Sequence, residues 1–428
     1  MTKCIVVGGG LAGLSAATLL LEKGINVHLI ESTPKFGGKV YSLLNEKYDD
    51  EYDNGQHILM GCYYSTLNFL SRINSIENLE FQKSLRIPFV KKGNYFFYLD
   101  THPKHYPLNL LKGILNYKAL TFYERLKVID FFIDLIFTYD EDLENLTVKE
   151  WLVLKKQNAN VLKSFWKILV IGALNTELEI ASASQFSYIL KKIFFEGNDA
   201  STILLPKVSL NKLFVNNSLK YIREKGGSFT TSEKLTEVVL NNSRVSKLKT
   251  NKKNYSDFDF VVIAVPFYSL IKIKPFDMLY KDNEGSFTYS SILNVHLWLK
   301  ENNFDEPFYG MIDSPVHWLF NHNKHITLVS SSADKLISLS NLEILEIFYS
   351  ELESFFQSFN KKNVIDWKVV KEKRATFVPD KKIIHIRKKI TSPFSNLFFA
   401  GDWVDTNLPS TIESAIYSGQ LAVEKIIN

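Results

Sequence analysis

Residues 4–7 form a short apolar run that breaks at Gly8-Gly9-Gly10 and resumes as a longer apolar stretch over 14–21. A second short run, 27–30, ends on Glu31. This order predicts a β-strand, a helix and a second strand. From about residue 85 to 200 apolar positions recur at helical spacing, most regularly over 123–139 and 161–174, and predict a helical block. Residues 211–225 predict a helix closed by the capping pair Gly226-Gly227. Strand-like alternation follows to Val245, and 258–266 reads as a buried strand. Residues 275–372 mix strands (290–300 and 325–331) with a helix over 341–356. Near the C-terminus, 397–400 reads as a buried parallel strand, and Thr411-Ile412-Glu413 opens a last helix.

With 428 residues the chain is too long for one simple core. The pattern divides it into a discontinuous nucleotide-binding domain, 1–84, 201–274 and 373–428, and a substrate domain, 85–200 and 275–372. A net charge of +5, with no basic run alternating with aromatics, argues against nucleic acid as a partner. Hydrophobic content of 46% with 32 Phe is high for a soluble enzyme. Yet no uncharged apolar stretch reaches the length of a membrane span, and the nearest candidate, 128–137, is interrupted by Asp130 and Asp134. Segment 106–122 sets Leu and Ile beside lysines; it reads equally as an amphipathic contact with an anionic membrane and as a helical cap on the protein's own core. Cys4 and Cys62 supply no disulfide framework and no metal spacing. With a strand beginning so near the N-terminus, the expected setting is cytoplasmic, with peripheral attachment to the inner membrane face as an extension of the amphipathic reading.

The glycines carry the chemistry. Gly8 lets the chain turn out of the first strand, Gly10 lets backbone approach a pyrophosphate, and Gly13 lets the helix pack close to the sheet. Leu11 and Ala12 then open the helix whose free N–H groups face phosphate, and Glu31 is placed to accept from ribose hydroxyls. Gly37-Gly38-Lys39 offers further donors to the diphosphate, where a nicotinamide enzyme would proceed to another βα unit. The segment from Asp53 through Gly55, Gln56 and His57 is either an ordinary loop or a flavin-side one. Gly401-Asp402 ends the late strand with a carboxylate for a polyol, or with a simple turn residue. Thr411 and Ile412 aim a helix N-terminus at an electron-rich ring edge. Together these stretches predict FAD and no metal. No Cys or His lies in 401–419, so the expected FAD is non-covalent.

The N-terminal GGGLAGLSAA…IE…GGK and the C-terminal GDW…TIESAIYSG resemble the flavin-containing amine oxidase and phytoene desaturase superfamily. The blocks DNGQHILMG from Asp53, GALNT from Gly172, LLP from Leu204, KRATF from Lys373 and GDWVDTNLP from Gly401 narrow the resemblance to FAD-dependent hydroxysqualene dehydroxylases. The resemblance implies an α/β fold: a Rossmann-like FAD-binding domain of GR2 type with an inserted α+β substrate domain that includes a helical cap. It adds Leu235 to the cofactor set. It implies reductive removal of the hydroxyl of hydroxysqualene, a lipophilic C30 isoprenoid, with a carotenoid-type desaturase as the alternative; no electron donor is named by the sequence. His57 is the candidate acid. Asn175 either binds the hydroxyl or caps a helix, and Asp405 is a third candidate or a solvent-exposed residue. Lys39, Asn407, Ser414 and Tyr417 depart from the usual Arg, Gly, Gly and Arg, and lysine at 39 loses the bidentate fork.

Overall fold

The structure is a computed structural model and describes residues 2–102 and 105–428. Met1, in the first expected nucleotide-binding segment, and Pro103 and Lys104, in the expected helical block, lie outside it. Five parallel strands, in the order Ser228–Thr230, Asn26–Ile30, Lys3–Val7, Phe260–Ile263 and Leu397–Phe399, form the nucleotide-binding sheet. Its central strands are covered on both faces, which is why they read as unbroken apolar runs. Helix Leu11–Glu22 crosses from the first strand to the second and packs against the last helix, Ile412–Ile427. The approach is close because Gly419 has no side chain: a Cβ there would stand 2.4 Å from the Ala12 carbonyl oxygen. Ser15 Oγ adds a hydrogen bond to the Ile416 carbonyl at 2.9 Å. The two ends of the chain thus share one layer.

A seven-stranded sheet runs in the order Val364–Phe377, Tyr289–Leu299, His325–Ser331, Trp318–Asn321, Phe308–Met311, Arg86–Lys91, Tyr95–Asp100. Its pairings are antiparallel except where Gly310 and Met311 run alongside Phe89 and Val90. Side chains alternate between two cores. Leu319 and Leu328 pack with Phe348, Leu352 and Phe355 of helix Asn341–Phe355. Trp318, Phe320 and Val329 join the opposite core with Phe131, Trp166 and Phe186 of the helical layer, which includes Phe122–Ile136, Lys167–Leu174 and Ala183–Phe194.

The structure corrects the helical reading of 85–200 at its start, where Arg86–Lys91 and Tyr95–Asp100 form a hairpin. Gly93 and Asn94 both adopt left-handed φ, +90° and +67°, a turn that reverses a strand whatever the spacing of its apolar residues. Strand Val364–Phe377 runs unbroken across the division expected at 372/373 and pairs with Tyr289–Leu299 along both parts. Among the described residues no helix is long and apolar enough to cross a membrane.

Candidate cofactor and substrate site

A cavity of about 1230 Å³ opens at the C-terminal ends of the parallel strands and extends between the helical layer and the large sheet. It exceeds the roughly 300–1,000 Å³ of a pocket for one drug-sized ligand, so two ligands fit together. One arm is glycine-lined and polar, the other apolar.

Gly8, Gly10, Leu11, Ala12 and Glu31 border the polar arm. Gly8 has φ +108°, and a Cβ at Gly10 would meet no protein atom nearer than 3.8 Å, so the space beside Gly10 belongs to the cavity. Gly10 starts the first helix without a side-chain cap, leaving first-turn N–H groups for a ligand. Gly13 does not border the cavity. A Cβ at Gly13 would stand 1.9 Å from the Gly8 carbonyl oxygen, so its role is helix–strand packing and it leaves the cofactor set. The Glu31 carboxylate accepts from Gly9 N at 2.8 Å and Thr33 N at 2.7 Å, bracing the glycine turn from the neighbouring strand.

Gly37, Gly38, Lys39, Leu235, Gly401 and Asp402 also border this arm. Lys39 Nζ donates to Asp402 Oδ2 at 2.8 Å, and the Ser410 hydroxyl donates to the same oxygen. Burial pushes the Asp402 carboxyl up, but Lys39 and Ser410 outweigh it and hold the group below its ordinary range. Thr411 caps the last helix by accepting from Ser414 N at 3.1 Å, and Ile412 borders the cavity.

Gly55, Gln56 and His57 form a continuous stretch of the cavity wall. Asn54 fixes this loop: its Oδ1 accepts from Tyr41 N at 3.2 Å, its Nδ2 donates to the Lys39 carbonyl at 3.0 Å, and its own carbonyl accepts from Asn294 Nδ2 at 2.9 Å. The large sheet is thereby tied to both cofactor-side loops. Next to it, burial raises the Asp53 carboxyl to about 6, while Ser42 Oγ and Leu210 N donate to it. His57 has no hydrogen-bond partner among the described residues, and burial lowers its pKa to about 4. At neutral pH it is an uncharged imidazole with both nitrogens free for a ligand.

Of the other two catalytic candidates, Asn175 borders the cavity and Asp405 does not. Asn175 ends helix Lys167–Leu174 with left-handed φ of +48°. Its Oδ1 accepts from Ser332 N at 2.6 Å and its Nδ2 donates to Thr376 Oγ1 at 2.9 Å, so the amide fastens a helix end to one strand and to the bend after another, the capping alternative. Asp405 does not border the cavity; it accepts from Asn407 N at 3.2 Å as a turn residue, and leaves the catalytic set.

Several site residues escaped the sequence reading. Arg387 is 2% exposed and donates to the carbonyls of Trp403 (3.1 Å), Leu408 (2.9 Å) and Val404 (2.6 Å), with a longer contact to Asp402. It lies over the Phe377 ring, and burial lowers its pKa to about 10. Among five basic residues of helix Lys381–Lys389 it is the one in register with Ile383 and Ile390, at i, i+4 and i+7, a legible signal of an inward position. Glu413 turns away from its own helix to accept from Ser65 N, Thr66 N and Thr66 Oγ1, capping helix Tyr64–Arg72. Tyr63, Tyr188 and Tyr417 also border the cavity.

The apolar arm is lined from the sheet by Ile87, Leu99, Ile292, Trp318, Phe320 and Val329, and from the helices by Leu169, Ala173, Phe186 and Ile189. The uncapped start of the first helix, left-handed glycines and the Lys39–Asp402 pair suit a dinucleotide diphosphate, and the remaining volume suits an apolar reactant beside it. Such a chain is an FAD-dependent oxidoreductase. Residues 11–427 match the family of flavin containing amine oxidoreductases, and the chain belongs to it. It is 25% identical over 424 residues to a hydroxysqualene dehydroxylase of Zymomonas mobilis, covering 98% of this chain and 97% of that one. It is 26% identical over 474 residues to the 15-cis-phytoene desaturase of Narcissus pseudonarcissus, covering 99% of this chain and 79% of the other. The fold is shared with cyclohexylamine oxidase from Brevibacterium oxydans, with TM-score 0.73, 14% identity and coverage of 99% and 98%.

Proposed function

We propose that this chain removes the hydroxyl of hydroxysqualene reductively to give squalene. The observation that carries the reading is the apolar arm continuing directly from the glycine-lined one; likeness to hydroxysqualene dehydroxylases along almost the whole chain supports it. Bound reduced FAD supplies a hydride. The C–O bond breaks, the departing hydroxide takes a proton to leave as water, and a C–H bond forms at the resulting allylic cation.

In this reading Gly8, Gly10, Leu11, Ala12, Gly37, Gly38 and Lys39 hold the diphosphate, and Glu31 with Leu235 bounds the adenosine end. Asp402 and Gly401 hold the polyol, and Thr411 and Ile412 present the last helix to the ring. His57, unpartnered in the cavity wall, receives the substrate oxygen; because burial keeps its imidazole neutral, it would pass on a proton only once the negative charge of the diphosphate and reduced flavin had raised its pKa in the loaded site. The apolar walls exclude water from the cation. The described alternative, a carotenoid-type desaturase, draws on the likeness to phytoene desaturases and runs the hydride the other way.

A substrate this insoluble favours delivery from a bilayer. Helices Leu108–Asn116 and Phe122–Ile136 and the turn after them expose Leu108, Phe122, Tyr123, Ile133 and Phe137. The acids on this face, Asp130 and Asp134, are paired with Lys127 and Lys155, leaving Lys112, Lys118 and Lys156 for anionic lipid. Leu110 and Leu111, inside the amphipathic segment, are half-buried, so the contact centres on Leu108 and the second helix instead.

The test is directional. Anaerobic, chemically reduced holoenzyme mixed with hydroxysqualene should form squalene and oxidised flavin, and His57→Ala should slow this by about 10²–10⁴ with FAD retained. Desaturation of phytoene or dehydrosqualene by the oxidised enzyme, with no squalene formed, would establish the alternative.

A further inference from the structure

Glycines mark where something other than a side chain must fit, and nearly all of those in this chain are explained by the protein itself. Nine have left-handed φ, and at seven others a Cβ would come within 3.0 Å of a protein atom. The three that remain are Gly10, Gly55 and Gly172, and all three border the cavity. Gly10 and Gly55 belong to the cofactor side. Gly172 lies at the sixth position of helix Lys167–Leu174, where glycine is the poorest choice after proline. The other glycines inside helices, Gly13, Gly113 and Gly419, meet protein atoms at 1.9, 3.0 and 2.4 Å. At Gly172 the nearest atoms to a Cβ are Trp318 Cζ2 at 3.5 Å and Nε1 at 3.7 Å, an ordinary contact that alanine satisfies.

Trp318 is 9% exposed, and its Nε1–H has no hydrogen-bond partner among the described residues. Leu169 and Ala173 flank Gly172 on the same cavity wall. The order of the sheet locates the pair along the arm. Ile292, beside the Asn294 anchor of the cofactor-side loop, lies on strand Tyr289–Leu299, and Leu99 lies five strands further across the sheet. At about 4.8 Å per strand that is a reach of about 24 Å, with Trp318 about 10 Å along it.

We propose that Gly172 and the edge of Trp318 form a gauge midway along the apolar arm. A Cβ at Gly172 would already touch Trp318 at 3.5 Å, so the chain runs past the pair rather than between them, and the bare backbone leaves a one-carbon notch that takes a methyl branch of an isoprenoid long enough to reach it, making Gly172 a determinant of chain length. The inference rests on the isoprenoid reading of the site. It does not depend on the direction of hydride transfer.

Gly172→Ala and Gly172→Leu holoenzymes test it, with squalene (C30) and geraniol (C10) binding read from the flavin absorption spectrum. Alanine is the better helix former, so its variant should keep full FAD content and melt no lower than wild type. Squalene affinity should fall about fourfold for Ala, one displaced methylene, and about fiftyfold for Leu, about three. Geraniol, too short to reach the gauge, should bind within about twofold of wild type in both, well inside one displaced methylene. Unchanged squalene binding, or equal losses for both probes, overturns the gauge. If Gly172→Leu loses FAD, the Ala variant still decides, by its fourfold loss or its absence. A wild type that binds squalene without forming it from hydroxysqualene refutes the dehydroxylase reading and leaves the gauge intact. One that binds no C30 chain refutes both.

Discussion

Arg387 holds the loop between the last strand and the last helix, and its removal has a calculable cost. Arg387→Met keeps the apolar stem over Phe377 but strips the donors from three carbonyls now bonded at 3.1 Å or less. Each acceptor left buried and unpartnered costs about 1–3 kcal/mol, or about 3–9 in all. Losing a buried cation that has no carboxylate hydrogen bond returns part of this, because its desolvation is no longer opposed only by dipoles. A net loss of about 3 kcal/mol is expected, a fifth or more of the 5–15 kcal/mol typical of a whole domain. The loop begins with Asp402, so cofactor release should precede global unfolding. Ultrafiltration of the holoenzyme should therefore find FAD Kd raised at least about tenfold, with the urea midpoint lowered. Arg387→Lys should recover less than half the loss, since one ammonium cannot span carbonyls that a planar fork reaches. An Arg387→Met protein with wild-type FAD affinity and midpoint would refute the claim that this side chain holds the loop.

Gly10→Val should abolish flavin binding while leaving the far-ultraviolet circular dichroism intact, because the Cβ has room in the ligand-free protein but not beside a phosphate; wild-type occupancy would sink the cradle. Burial keeps His296 well below, and His317 at about 4 against, an ordinary value near 6.5. The unfolded chain then binds more protons than the folded one between those values, so the stability these groups contribute is present above about pH 6.5 and lost as pH falls toward 4. Asp53, raised to about 6, and Glu413, raised by burial, work in the opposite sense, but His57 at about 4 and His322 at about 3 add to the histidine side, so the denaturation midpoint should be lower at pH 5 than at 7.5; an equal or higher one contradicts this. Replacing Leu108, Phe122 and Phe137 with serine should release the protein from anionic liposomes with FAD retained, and no lipid binding by the wild type would remove the membrane from the account.

The cofactor arm was legible because its signals are local. Gly8, Gly10 and Glu31 sit at strand ends within one βαβ unit, and Gly401-Asp402 repeats the device at a second strand. What stayed hidden depends on partners far along the chain. Asn294 meets Asn54 across 240 positions, and nothing near either residue announces the contact. Asn175 and Asp405 carry the right groups for chemistry, but the amide is held in place by Ser332 and Thr376, and the carboxylate accepts within its own turn away from the cavity, contacts that no local pattern announces. The hairpin at 86–100 was lost to apolar spacing compatible with a helix, although Gly93-Asn94 in the middle was the warning.

The joined ends of the chain have a consequence for biosynthesis. Strand Phe260–Ile263 lies between the first strand and Leu397–Phe399, and helix Leu11–Glu22 needs Gly419 and Ile416 for its partner. A chain emerging from the ribosome folds N-terminal parts first, at about 5–20 residues per second. The phosphate-binding turn is therefore made long before its neighbours at 397–399 and 412–427. Until strand Leu397–Phe399 and helix Ile412–Ile427 have left the exit tunnel, the nascent protein presents an apolar sheet edge and a half-built cofactor cradle. Loading with FAD on this account waits for residues 397–427, and the flavin that arrives closes a cradle whose two halves are made far apart in time.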